Sequence, residues 1–282
     1  MRVRIAVFLW LVVDGALAQD AEPPAPAERP LVAVPYRTGD DLDAHARERC
    51  VLDLTLPRDT RGFATIVWFH GGGLTGGRRA VPPALTGHGV AVVAAGYRLS
   101  PHVPVTGCLQ DAAAAVAWTL ANIAEHGGDP RRVFVAGHSA GGYLATMVAL
   151  DRRWLAEAGI DADALAGVVS CSGHSITHFT ARRERGVADT QPVVDDLAPL
   201  FHVRKDAPPM LLVTGDRERE LLGRYEETAY FWRMLRVVGH PDVQLREIEG
   251  YDHGGMVEPA LPLVLEFVRA RSRPKVVDPD GR

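Results

Sequence analysis

Five apolar runs recur along the chain: FATIVWF (63–69), VAVVAAGY (90–97), RVFVAG (132–137), LAGVVSCS (165–172) and MLLVTG (210–215). Each ends in a turn and gives way to residues with helical spacing. Runs of this length, rich in Val and without polar alternation, predict strands buried on both faces of a parallel sheet. VQLREIEG (243–250) alternates apolar with polar and predicts a strand nearer an edge. Helices are predicted over 107–127, 140–152, 219–238 and 258–271. In the third, Leu221, Leu222, Tyr225, Ala229, Trp232 and Leu235 share one stripe. The alternation of strand and helix predicts an α/β fold, with a mostly parallel central sheet flanked by helices. Residues 173–208 lack a strand pattern and carry several charges, which predicts a lid-like excursion over the carboxyl edge of the sheet.

The N-terminus departs from this pattern. Arg2 and Arg4 precede an unbroken apolar run from Ile5 to Val13, and Ala16-Leu17-Ala18 follows. This is the layout of a signal peptide cleaved after Ala18, and it predicts a secreted or periplasmic protein. The run is too short for a permanent membrane anchor. Residues 19–31 are rich in Pro and Ala and read as a linker, 32–272 as one domain, and 273–282 as a tail.

Charge and cysteine content narrow the function classes. Removing residues 1–18 moves the net charge from −4 to −5, which leaves no basic footprint for nucleic acid. Cys50, Cys108 and Cys171 match no zinc-binding or CxxC spacing and allow either one disulfide or three buried thiols.

The candidate chemistry begins at Gly137-His138-Ser139-Ala140-Gly141, a G-x-S-x-G between a predicted strand and an Ala-rich helix. Small residues flank the serine because its backbone must turn sharply, which holds the hydroxyl above the sheet at a helix N-terminus. Ser139 is therefore the candidate nucleophile. Directly after the strand 63–69 comes HGGGLTGG, in which Gly72 and Gly73 can offer backbone N–H groups to an oxyanion, with Ala140 as a third donor. His70 reads as a residue fixing that loop. A base must come late in the chain. His240, after a helix-ending glycine and before a proline, reads as a turn residue, whereas His253 in GYDHGGM lies in a loop on the same sheet edge as Ser139. For the third member, VTGDRERE (213–220) offers three carboxylates at the end of a strand. Of these, Asp216 can cap the next helix, and Glu220 reads as an exposed partner of Arg224 four residues on.

HGGG, GYRLSP (96–101), GGDPRRVFVAGHSAGG (127–142), APPMLLVTGD (207–216) and the late DHGG, in this order over residues 45–270, resemble the α/β-hydrolase esterases. The chain is most similar to their hormone-sensitive-lipase-like and BD-FAE-like (feruloyl-esterase-related) groups. The resemblance implies a Ser139–His253–acid triad with Glu218 as the acid, third after Gly215, and Asp216 as the alternative. Many relatives have an aromatic residue where this chain has Leu74, which predicts a different acyl-side wall. The expected activity is a serine carboxylesterase acting on small, medium or sugar-linked esters through an acyl-enzyme, with no metal or organic cofactor. An arylformamidase-like amide hydrolase and a non-catalytic binding protein on the same fold are the alternatives. His174 and His178, four apart in GHSITH, lack an evident third metal ligand and read as lid or pocket residues. Sequence leaves the oligomeric state open.

Overall fold

A computed structural model describes residues 28–40 and 42–272. The expected signal peptide, residues 19–27 of the expected linker, and the tail 273–282 lie outside the described residues. The elements run β1 (Glu28–Pro35), α1 (Ala44–Arg49), β2 (Val51–Pro57), β3 (Phe63–Phe69), β4 (Ala91–Ala95), α2 (Val105–Asn122), β5 (Gly128–His138) and α3 (Ala140–Leu150). They continue with α4 (Arg153–Ala156), β6 (Gly167–Cys171), α5 (Phe179–Glu184), β7 (Met210–Gly215), α6 (Arg224–Val237), β8 (Val243–Ile248) and α7 (Val257–Ser272).

All eight strands join one sheet in the order β1-β2-β4-β3-β5-β6-β7-β8. Only β2 runs against its neighbours, and β3 to β8 are parallel throughout. The apolar runs behave as strands buried on both sides. In β3, Phe63, Val67 and Phe69 enter one core and Ala64, Ile66 and Trp68 the other; in β5, Val133 and Val135 part from Phe134 and Ala136 in the same way. Helices α2, α3 and α6 cover the first face, while α7 covers the second with Ala260, Leu261, Val264 and Phe267. Because β4 and β5 lie on opposite sides of β3, the order of connection reverses there. A cleft at the carboxyl ends of β3 and β5 follows from that reversal.

Two expectations are corrected. The strand β1 begins at Glu28, inside the stretch expected to be linker through residue 31. It is an edge strand with no buried position, its apolar run is only the four residues Leu31–Val34, and Pro30 is tolerated at an edge. Helix α6 starts at Arg224 rather than 219, because Leu222 and Gly223 have φ of 51° and 72° and break the helical path. Its buried face is therefore Arg224, Thr228, Phe231 and Leu235, while Leu221 and Leu222 stay exposed. The three cysteines are buried and unbridged, and burial pushes their thiols up to about 11 for Cys50 and about 12 for Cys108 and Cys171. Among the described residues, no helix is long and apolar enough to cross a membrane.

The turn from β5 into α3 is the tightest junction. Ser139 sits at φ 55°, ψ −118°, a conformation that L-residues avoid. The turn holds because the start of α3 presses on the end of β3. A Cβ at Gly141 would lie 2.0 Å from the Phe69 carbonyl oxygen, and one at Gly137 would lie 2.4 Å from the Gly141 carbonyl carbon. Gly141→Ala should therefore cost about 3 kcal/mol or more, above ordinary overpacking, because a backbone carbonyl cannot swing aside. Thermal unfolding of the variant checks this, and a melting temperature equal to wild type would contradict it.

Candidate active site

Five strand ends converge around Ser139. Its backbone N–H donates to the Cys171 carbonyl at 2.8 Å, which ties the turn to the end of β6. His253, in the loop after β8, brings its Nε2 to 2.9 Å from Ser139 Oγ. The other ring nitrogen, Nδ1, lies 3.0 Å from Oε2 of Glu220 and 2.9 Å from Oγ of Ser172. If the serine hydroxyl donates to Nε2, then Nδ1 carries the ring proton and donates to the carboxylate. An imidazole held this way can take up the serine proton and keep the resulting positive charge beside a negative one.

The carboxylate that meets His253 is thus Glu220, neither Glu218 nor Asp216. Asp216 turns back on its own loop, where its carboxylate accepts from the N–H groups of Glu218 at 2.9 Å and Gly250 at 2.7 Å. Glu218 is exposed. The amides of Arg219 and Glu220 donate to the Asp216 carbonyl, and this short turn carries Glu220 back over the end of β7. There its Oε1 accepts from the Gly215 N–H at 2.9 Å and its Oε2 from the Leu221 N–H at 2.9 Å, and its side chain is only 1% exposed. Burial works against ionisation of Glu220. The hydrogen bonds from His253, Ser172, Leu221 and Gly215 outweigh it and hold the carboxyl down at about 2. The expected Glu220–Arg224 surface pair does not form. Arg224 is fully buried, bonds Glu227 and His174 at 2.8 Å each, and donates to the Ser172 carbonyl.

Ser172 and His138 belong to this neighbourhood and were not singled out by sequence. Ser172 follows β6 with φ 50°, and its N–H donates to the Val213 carbonyl. Its one legible signal was a small polar residue at a buried strand's carboxyl end. His138, the variable residue before Ser139, puts its Nε2 2.8 Å from the His253 carbonyl oxygen and so fixes the backbone of that loop.

The glycine loop after β3 passes beside the serine: a Cβ on Gly71 would lie 3.4 Å from Ser139 Cβ. Gly72 and Gly73 have φ of 117° and 65°. The loop's carbonyls are occupied. Gly72 accepts from the amides of Thr75 and Gly76, Gly73 from Thr180 Oγ1 at 2.5 Å, and Leu74 from the Ser100 amide at 2.8 Å. The amides of Gly72 and Gly73 donate to no protein acceptor among the described residues, and Ala140, the first residue of α3, has no helical partner for its own. Leu74 is fully buried in the core. The ring of Phe179, in α5, lies against the loop at Gly73. His70 stacks on Tyr97 at 4.3 Å beneath the loop, and His240 binds the carbonyls of Ala207 and Pro208, so both serve the scaffold. His174 is engaged at both ring nitrogens by Glu227 and Arg224, and His178 Nδ1 accepts from the Thr180 amide.

Residues 66–193 match a family described as having the alpha/beta hydrolase fold. The chain has the α/β-hydrolase fold. Esterase LipC of Mycobacterium tuberculosis is 31% identical over 229 residues, covering 72% of this chain and 56% of LipC. Carboxylesterase NlhH of the same organism is 42% identical over 89 residues, 30% of this chain and 28% of its own. The chain thus spans about half of LipC and less of NlhH. Among solved structures, Thermogutta terrifontis esterase 2 phosphonylated by cyclosarin is 26% identical, with a TM-score of 0.68, covering 90% of this chain and 97% of that one. A truncated carbohydrate esterase from gut microbiota shares the fold at 16% identity, with a TM-score of 0.69 over 86% of this chain and 96% of its own.

Burial holds His70, His138 and His174 down at about 4, and His178 well below its usual range. The unfolded chain would protonate these rings near pH 6.5, so it binds more protons than the folded one between about pH 6.5 and 4. Stability should therefore fall as pH drops through that window, whereas the contribution of ionised Glu220 is lost only below its unfolded value of about 4.3. Melting temperatures measured from pH 7.5 to 4.5 check this. A flat profile would show that the rings are not held neutral.

Proposed function

We propose that the protein is a secreted serine carboxylesterase in which Ser139 is the nucleophile, His253 the general base and Glu220 the acid of the triad. The observation that carries this reading is the hydrogen-bonded line from Ser139 Oγ through His253 to a buried, ionised Glu220. The similarity to LipC and to an esterase phosphonylated by cyclosarin supports the same chemistry.

In the proposed reaction Ser139 Oγ adds to the ester carbonyl as His253 Nε2 takes its proton. The amides of Gly72, Gly73 and Ala140 receive the negative charge on the carbonyl oxygen, and fixed donors aimed at developing charge need no reorganisation during the step. His253 then gives the proton to the departing alkoxide. Water, deprotonated by the same ring, releases the acid from the acyl-serine. Glu220 stays ionised and stabilises the imidazolium. The apolar N-terminal run of the sequence supports export.

With p-nitrophenyl acetate, Ser139→Ala should lower kcat/KM by about 10⁴-fold or more, and Glu220→Gln by about 10³-fold to 10⁴-fold. Glu218→Gln and Asp216→Asn should stay near wild type. Loss of activity in the Glu218 variant but not in the Glu220 variant would reverse the assignment of the acid. Diethyl p-nitrophenyl phosphate should add one diethylphosphoryl group to Ser139, read by peptide mass. Labelling elsewhere, or N-formylkynurenine cleaved far faster than any ester, would overturn the proposal.

A further inference from the structure

We propose that Phe179, the first residue of α5 in the excursion, walls an acyl-binding subsite and restricts the enzyme to short acyl chains. This rests on the esterase reading above. The ring lies against the glycine loop: a Cβ on Gly73 would meet Phe179 Cζ at 3.2 Å and Cε2 at 3.3 Å. The ring is held on several sides. The Arg183 guanidinium carbon lies 4.7 Å from its centroid, His178 lies tilted at 4.3 Å, and His174 meets it edge-on at 5.3 Å. The next residue, Thr180, bonds the Gly73 carbonyl and so fastens α5 to the loop that carries two of the proposed oxyanion donors. On the same helix, Glu184 accepts from Ser100 Oγ at 3.0 Å and from the Val105 amide at 3.1 Å. A ring held by its neighbours on a helix bolted at both ends cannot swing aside to admit a longer chain.

The direction of the substrate assigns this wall to the acyl group. The leaving oxygen must face His253 Nε2 to receive its proton. His138 and His253 lie together, centroids 4.8 Å apart, and the loop reaches them at Gly71, where a Cβ would lie 3.2 Å from His138 Nδ1. Phe179 meets the same loop two residues on, at Gly73, where no contact with His138 or His253 is found among the described residues. With the carbonyl oxygen on the loop amides and the alcohol toward His253, the acyl group extends toward Phe179.

Two substrate series separate the subsites. The first varies the acyl group as p-nitrophenyl acetate, butyrate and octanoate, and the second varies the alcohol as ethyl, phenyl and 1-naphthyl acetate. Wild type should favour acetate and butyrate over octanoate in kcat/KM. Phe179→Ala should raise the octanoate-to-acetate ratio by about tenfold or more, as expected for opening an apolar pocket by several carbons, and leave the ranking of alcohols unchanged. Phe179→Leu, which keeps an apolar side chain on α5, should give an intermediate ratio, and circular dichroism checks that each variant is folded. Three results would overturn the proposal: wild type accepting octanoate as readily as acetate, a ratio unmoved in both variants, or a shift confined to the alcohol series. Absence of turnover on every ester in wild type would instead remove the esterase reading, and the subsite with it.

Discussion

The contact on which the site depends is between two stretches of backbone: the start of α3 against the end of β3. With no side chain at residues 137 and 141, the helix settles onto the Phe69 carbonyl, and that approach holds Ser139 in a conformation it would not adopt alone. One constraint has three consequences. The serine hydroxyl is raised above the sheet, the Ala140 amide is left free at a helix N-terminus, and the glycine loop leaving β3 is brought alongside. The proposed nucleophile and its oxyanion donors are therefore set by one packing event rather than by separate devices.

A second layer holds the ring opposite the serine. Arg224, buried without exposure, links the Ser172 carbonyl to His174 and Glu227, and Glu227 also accepts the amides of Ser175 and Ile176. A buried guanidinium without partners would be costly, so this network is complete or the region does not fold. It joins the first turn of α6 to the root of the excursion, and Thr180 and Glu184 join the excursion to the glycine loop and the start of α2. The excursion is thus part of the frame of the cleft as well as its cover.

Much of this was legible in the sequence, and the reason differs by residue. The parallel sheet announced itself because strands buried on both faces must be apolar throughout, whereas β1, with no buried position at the edge, has only the short LVAV beside Glu28, Arg29 and Pro30. Ser139 was legible because strand, glycine turn and helix follow one another directly from Gly128 to Leu150, so the signal is local. His253 followed from chain order. Glu220 is not legible because apolar spacing through Leu221 and Leu222 predicts a helix from 219, on which Glu220 would turn outward. The left-handed residues 222 and 223 delay the helix, and the turn capped by Asp216 folds Glu220 inward. Ser172 and His138 act through tertiary contacts with a loop more than 80 residues away, which no local pattern encodes.

The residues around the cleft, from Gly72 through Ser139, Ser172 and Glu220 to His253, leave five different strands spread across most of the chain. Their meeting requires β3, β5, β6, β7 and β8 to be in register at once, so the contacts that define the cleft are among those of greatest sequence separation in the molecule. Such contacts carry the largest loop-closure entropy. A chain with only its first strands and helices in place has the serine and the glycine loop but neither His253 nor Glu220. The proposed triad is thus complete only when the last parallel strand is in place.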